Sequence, residues 1–232
     1  MKRTHILLVV LIAVVLFSGT AQASLSTIGT ATYNGQDYSL IYASDQHLVW
    51  LDYTRVVDTW SNQVSWAAGL NTAEVLTYNL NPGISVTWSG AWRLPATVDG
   101  PWVWGYDGTT TAGYNIRTSE MGHLFYTELG NKGYHDVNRN PQSGWGLVNK
   151  APFANLQPSY YWSGTDYAGD PTGAWFFSFL LGSQDSAVTG SFYALAVRSG
   201  DVGAVPIPGA LLLFVPGLAG IVVLKRRMGR RG

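Results

Sequence analysis

The chain has 232 residues, with 14 basic and 14 acidic side chains, 10 Trp, 13 Tyr and no cysteine. Without cysteine there is no disulfide framework, no thiol nucleophile and no thiolate metal site. All fourteen acidic residues but only seven of the basic ones fall within residues 24–204, and so acidic a body argues against a nucleic-acid partner, which needs a positive field.

In chain order, Lys2 and Arg3 precede an apolar run from Ile6 to Phe17, followed by Ala21-Gln22-Ala23. A basic start, a short apolar stretch and a small-x-small site make the layout of a secretory signal. Cleavage is expected after Ala23, with export through the Sec translocon. Residues 24–204 then form one exported domain, long enough to bury a sizeable core. Thr27 to Tyr33, Asn34-Gly35 and Asp37 to Ala43 predict a β-hairpin, since Asn-Gly suits a two-residue turn and Tyr38, Leu40 and Tyr42 alternate. His47 to Tyr53 predicts a third strand. Asp58 to Leu70 predicts a helix with Asp58 or Thr59 as N-cap and Trp60, Val64, Ala67 and Ala68 on one face. Residues 71–117 show no clear period and read as loops and short strands. Thr118 to Leu129 predicts a second helix, capped by Thr118 and stopped by Gly130. Its buried stripe is Met121, Leu124, Phe125 and Leu129, and Glu120 in the first turn suits the helix dipole. Three late strands are expected at Ser159 to Ser163, Ala174 to Leu180 and Ser191 to Val197, with Gly200 to Ala204 as a linker.

Beyond the linker, no residue from Val205 to Leu224 is charged, a length close to the ~20 residues that cross a bilayer. Pro216 interrupts this span, and five basic residues between Lys225 and Arg231 favour a cytoplasmic C-terminus. Val205-Pro206-Ile207-Pro208-Gly209, the apolar run and Arg226-Arg227 together resemble a PEP-CTERM sorting signal. That resemblance implies a C-terminus held in the inner membrane, processing by exosortase, and a final place at the cell surface or in an exopolysaccharide matrix. A permanent single-span anchor is the alternative. The chain thus divides into a signal peptide (1–23), an exported domain (24–204) and a sorting segment (205–232).

Four segments of the body, LVWLD (Leu48 to Asp52), WRLP (Trp92 to Pro95), YWSGTDY (Tyr161 to Tyr167) and AWFFSF…YALAVRSGDV from Ala174, resemble in this order the Lcl-type C-terminal domain. The resemblance implies an α+β, C-type lectin-like fold, related to that of the formylglycine-generating enzyme. Two helices would pack on a small, twisted, mostly antiparallel sheet with long loops. In WRLP, Pro95 holds Leu94 extended, so Trp92 and Leu94 face the core and Arg93 faces away, where it can pair with a carboxylate. In YYWSGT, alternation sets Trp162 opposite Tyr161 and Ser163 and predicts one aromatic, wet face.

No catalytic constellation emerges. The formylglycine-generating relatives depend on cysteines, and the iron-dependent ones on a three-histidine cluster, whereas His47, His123 and His135 are scattered here. No Gly-x-Ser-x-Gly elbow occurs, and His123, off the apolar stripe of the second helix, reads as a boundary residue. The candidate cation site is Asp136-Val137-Asn138-Arg139-Asn140, whose Asp136, Asn138 and Asn140 match the first oxygen ligands of a calcium loop. Pro141 and Leu147 break the remainder of that pattern, and a solvated Asx-turn loop is the favoured alternative. The candidate ligand surface carries Tyr160, Trp162, Asp166, Tyr167 and Asp170, with Asn155 nearby, because rings stack on sugars while carboxylates and amides accept hydroxyls. The alternative is that Trp162 is core and the two Asp residues cap turns. Trp102 and Trp104 are further aromatic candidates. The expected function is a non-enzymatic module binding a polysaccharide or another surface polymer. A structural matrix protein without a ligand site is the alternative, and a degenerate enzyme of the formylglycine-generating fold is the third reading.

Overall fold

The computed structural model describes residues 25–204. The expected signal peptide and sorting segment, with Val205, Pro206, Pro208, Gly209, Arg226 and Arg227, lie outside the described residues. Among the described residues, no helix is long and apolar enough to cross a membrane.

The expected hairpin forms from β1 (Leu25–Tyr33) and β2 (Gln36–Ala43), with Tyr33 opposite Gln36. Asn34 and Gly35 both take positive φ, 50° and 79°, as this turn demands. β3 (Leu48–Asp58) follows and pairs with β2. After α1 (Trp60–Gly69), two strands return to the same region: β4 (Thr77–Leu80) beside β1, and β5 (Ile84–Trp88) beside residues 200–204. β6 (Trp104–Gly105) and β7 (Ala112–Tyr114) are short, and α2 (Glu120–His123) runs directly into a π-helical turn, Leu124–Glu128. β8 (Tyr160–Asp166), β9 (Ala174–Ser178), β10 (Ser183–Ala187) and β11 (Phe192–Ala204) complete the described residues.

The strands lie in the order β4-β1-β2-β3-β11-β8-β9-β10-β7-β6, with β5 joined to β11, an eleven-stranded sheet. Pairing is antiparallel except between β11 and β8 and between β6 and β7. The architecture is α+β, but the sheet is not small. One strand and the end of another escaped the sequence pattern. β10 (SQDSA) has no apolar alternation; it is held by five residues of pairing with β9, and its buried Gln184 bonds to Thr97 and Thr111. Gly200 to Ala204, expected as a linker, is the end of β11, paired with β5 from Gly200–Trp88 to Ala204–Ile84.

Core packs on both faces of the sheet, which explains the unbroken apolar runs Leu48–Leu51 and Ala194–Val197. Val49, Leu51, Ala194 and Ala196 face α1, together with Trp66, Ala67 and Leu70. Leu48, Trp50, Leu195 and Val197 face α2 and its π turn, together with Met121, Leu124 and Phe125. The WRLP segment behaves as its spacing predicts: Trp92 and Leu94 are buried in the α1-side core. Arg93 turns the other way into a bidentate pair with Glu120, both contacts 2.7 Å.

Both helices depart from expectation in detail. In α1 the buried residues are Gln63, Trp66 and Ala67, while Ala68 is exposed and Trp60 and Val64 are only half-buried. The face rotates because Gln63 Nε2 donates to the carbonyls of Val56 and Phe192, at 2.8 and 2.9 Å, drawing a polar side chain between β3 and β11. In α2 the cap is Ser119, not Thr118; Ser119 Oγ accepts from Gly122 N. The expected stripe Met121, Leu124, Phe125 and Leu129 is buried, and Gly130 ends the helix at φ 64°.

Candidate functional site

An open cleft of about 340 Å³ crosses the outer end of the sheet, on the face that carries α1 but beyond that helix. Trp104, Tyr114, Tyr160, Phe176 and Phe192 form its aromatic walls, with Leu181, Ser183 and Asp185 completing it. The strands bring these residues together. Ser183 and Asp185 stand two apart on β10, so they share a face; Phe176 lies opposite Asp185 on β9, and Tyr114 lies opposite Ser183 on β7. β6 and β7 approach so closely that only glycine fits at position 113, where φ is 112° and a Cβ would strike the Gly105 carbonyl. That approach sets Trp104 edge-on to Tyr114, with ring centres 5.9 Å apart.

The rim is aromatic too. Trp102 is 47% exposed and lies 6.1 Å from Trp104. Its indole N–H donates to Asp185 Oδ1 at 2.7 Å, as does the backbone N–H of Ser186 at 2.8 Å. Both bonds fall on Oδ1, so Oδ2 accepts none among the described residues. From Tyr114 the ring ribbon continues through Tyr106, stacked at 5.7 Å, to His135, then to Tyr134 and Trp145. The cleft thus offers flat apolar surfaces beside a carboxylate acceptor, the combination that holds a sugar ring.

The expected ligand residues are not gathered in one place. Tyr160 lines the cleft. Trp162 does not: it is 1% exposed, packs in the α1-side core and donates to the Asp58 carbonyl. The expected wet face of β8 is therefore corrected, because Tyr161, Trp162 and Ser163 are all buried, one core lying on each side of the strand. Asn155 is spent on structure, its side-chain amide bonded to the backbone carbonyl and carboxylate of buried Asp52. Burial pushes the Asp52 carboxyl up, against the N–H groups of Ala154 and Asn155 that favour its charge. Asp170 accepts from the hydroxyl and N–H of Thr172, which hold its carboxyl below the ordinary value, and so caps a turn. Tyr167 packs edge-on against buried Trp175 at 5.3 Å, and Asp166 is exposed at the end of β8. Asp185, Phe176 and Phe192 went unnoticed in the sequence; only the register of β8, β9 and β10 assembles them.

The Asp136 loop closes on itself. Asp136 Oδ1 accepts the N–H groups of Asn138 and Asn140 at 2.8 Å each, and the Asn140 amide reaches Oδ2 at 3.3 Å. These donors, the Asn140 N–H first, hold the carboxyl below its ordinary value. The loop adjoins the aromatic ribbon, since Arg139 lies over Tyr106 at 5.3 Å and its carbonyl meets His135 Nδ1. His123 is half-buried, as expected of a boundary residue, and contacts Asp45 through Nε2 at 2.5 Å. Glu128 stands beside this pair, and burial, then the neighbouring Asp45, pushes its carboxyl up to about 8.

Comparison with protein-family models, with curated proteins and with solved structures gives no match to this chain.

Proposed function

We propose that this chain is an exported, non-enzymatic binding module that holds a polysaccharide in the cleft walled by Trp104, Tyr160 and Phe176. One observation carries the reading: an open aromatic groove whose carboxylate, Asp185, keeps an unused acceptor oxygen. Its volume of about 340 Å³ lies within the range of small-ligand sites. The acidic charge of the body suits a neutral glycan better than an anionic one. The setting follows from the sequence motifs. The resemblance of 205–232 to a PEP-CTERM signal supports membrane retention, exosortase processing and release to the cell surface or matrix. The resemblance to the Lcl-type domain supports a C-type lectin-like relationship.

Binding of the full-length chain to a panel of polysaccharides, including the host's own exopolysaccharide, tests the reading. Saturable binding is expected, weakened about fivefold by Trp104→Ala with the melting temperature held, since one ring contact is worth about 1 kcal/mol. Absence of binding, or a Trp104→Ala variant with undiminished affinity, overturns it. Mass spectrometry of the protein from its host tests the sorting part separately: a mature C-terminus still at Gly232 removes exosortase from the account.

A further inference from the structure

We infer that Asp45, His123 and Glu128 form a binding site for a divalent transition-metal cation, with Zn²⁺ the ion that fits its ligands best. Asp45 sits in the turn between β2 and β3, and His123 and Glu128 bracket the π-helical turn. One ligand atom from each, a histidine nitrogen and two carboxylate oxygens, lies within 4.8 Å of the others. The site does not belong to the aromatic cleft and shares no residue with it.

The π turn builds the site. In an α-helix, residues five apart point about 140° away from each other. Here Leu129 N donates to Leu124 O at 2.9 Å, a bond spanning five residues, and the wider turn brings Glu128 round beside His123. A helix gives up regular bonding at some cost, and the geometry gained is this juxtaposition.

Glu128 supplies an independent observation. Both of its carboxylate oxygens expose less than 1 Å² and meet no N–H or hydroxyl donor; the polar group beside them is the Asp45 carboxyl, a second acid. No lysine or arginine among the described residues pairs with it. Buried carboxylate oxygens are ordinarily satisfied, and an orphaned pair asks for a donor or a cation. A cation would meet that need and would also take up Asp45, which faces the same space. Entry is open, because the side chains of His123 and Asp45 are 22% and 29% exposed.

The ligand chemistry selects the ion. Zn²⁺ takes imidazole nitrogen and carboxylate oxygen at about 2.0–2.2 Å, which sets tetrahedral ligands about 3.4 Å apart. The observed separations, 2.5 Å between His123 Nε2 and Asp45 Oδ2 and up to 4.8 Å overall, bracket that value. Ca²⁺ wants six to eight oxygens and Mg²⁺ an oxygen octahedron, and neither suits three ligands of which one is nitrogen. The ion would tie the β2–β3 turn to α2, between residues 78 apart in sequence, in a chain that has no cysteine to staple it.

The test uses the full-length chain stripped with a chelator and then titrated with Zn²⁺, reading bound metal per chain after gel filtration and the melting temperature. One equivalent retained and a rise of roughly 5–10 °C at a hundredfold excess over Kd are expected. Ca²⁺ should give no such rise. Glu128→Gln keeps the shape of the side chain but replaces a ligand carboxylate with an amide that can donate to Asp45, so it should fold without metal and yet lose the retained equivalent. Asp136→Ala should keep it. A wild-type chain that retains no zinc overturns the inference, as does a folded Glu128→Gln variant that retains as much as the wild type.

Discussion

Tyr160 and Trp162 stand two residues apart on the same face of β8, and both touch the rings of Phe176 and Phe192. One walls an open cleft; the other is core. The difference lies above the strand. The start of α1 closes over Trp162: its indole donates to Asp58 O, and Trp60 Nε1 donates to Ser163 O at 2.8 Å. Nothing in the described residues covers Tyr160 in this way, because α1 ends its reach at β8 and the sheet continues outward through β9, β10, β7 and β6. Alternation along a strand decides which rings share a face. What lies over that face decides which of them can meet a ligand.

Substitutions at the two positions should separate these roles. The largest effect is expected from Trp162→Ala, which removes a fully buried indole and its hydrogen bond. It should cost about 3–5 kcal/mol and lower the melting temperature by roughly 10 °C. A Trp162→Ala protein of near wild-type stability that had lost only polysaccharide binding would erase the distinction. Tyr160→Ala should do the reverse, with a stability cost of about 1 kcal/mol or less for a half-exposed ring and a severalfold loss of affinity. Acid should loosen the loop after β8, whose Tyr167 packs on Trp175. Asp99 accepts from Trp175 Nε1 and from the Ala168 N–H, and these bonds, the indole first, hold its carboxyl below the ordinary 3.8. A depressed carboxyl stabilises the fold above the unfolded value and loses that contribution as pH falls through its folded value. Lower protection of the amides at 166–170, relative to their intrinsic exchange rate, below pH ~4, with this pH dependence abolished in Asp99→Asn, is the expected signature. The smallest effect on stability belongs to Asp185→Asn. It keeps the Oδ1 acceptor for Trp102 but turns the free acceptor into an amide donor, and should weaken glycan affinity about fivefold to tenfold with the smallest change in melting temperature of the series.

Much of the fold was legible where local chemistry and tertiary packing agree. Asn34-Gly35 specified its turn, the stripe Met121, Leu124, Phe125 and Leu129 specified the buried face of the second helix, and WRLP specified both its inward pair and its outward arginine. Other features resisted for identifiable reasons. β10 is strand because β9 offers it a full ladder, although SQDSA carries no pattern of its own. α1 is rotated by two carbonyls, 129 and 7 residues from Gln63, that no helical period encodes. Among the aromatic candidates, Trp104 and Tyr160 reach the cleft, whereas Trp162 does not, and Asp185 gave no signal at all.

The two cation candidates divide along the same line. The Asp136 loop could be read because its residues are contiguous, and contiguity is also what lets its own amides fill the carboxylate. Asp45, His123 and Glu128 share no motif, and an α-helix would keep the last two apart. By itself, then, the sequence determined what short-range physics controls: turn, strand and helix signals, the absence of thiol chemistry, the acidic body and the segments that resemble targeting signals. The tertiary structure alone decided which rings stay open and which carboxylate is left unpaired. Both depend on what a distant part of the chain does or does not lay over a given face, and no local pattern of residues carries that information.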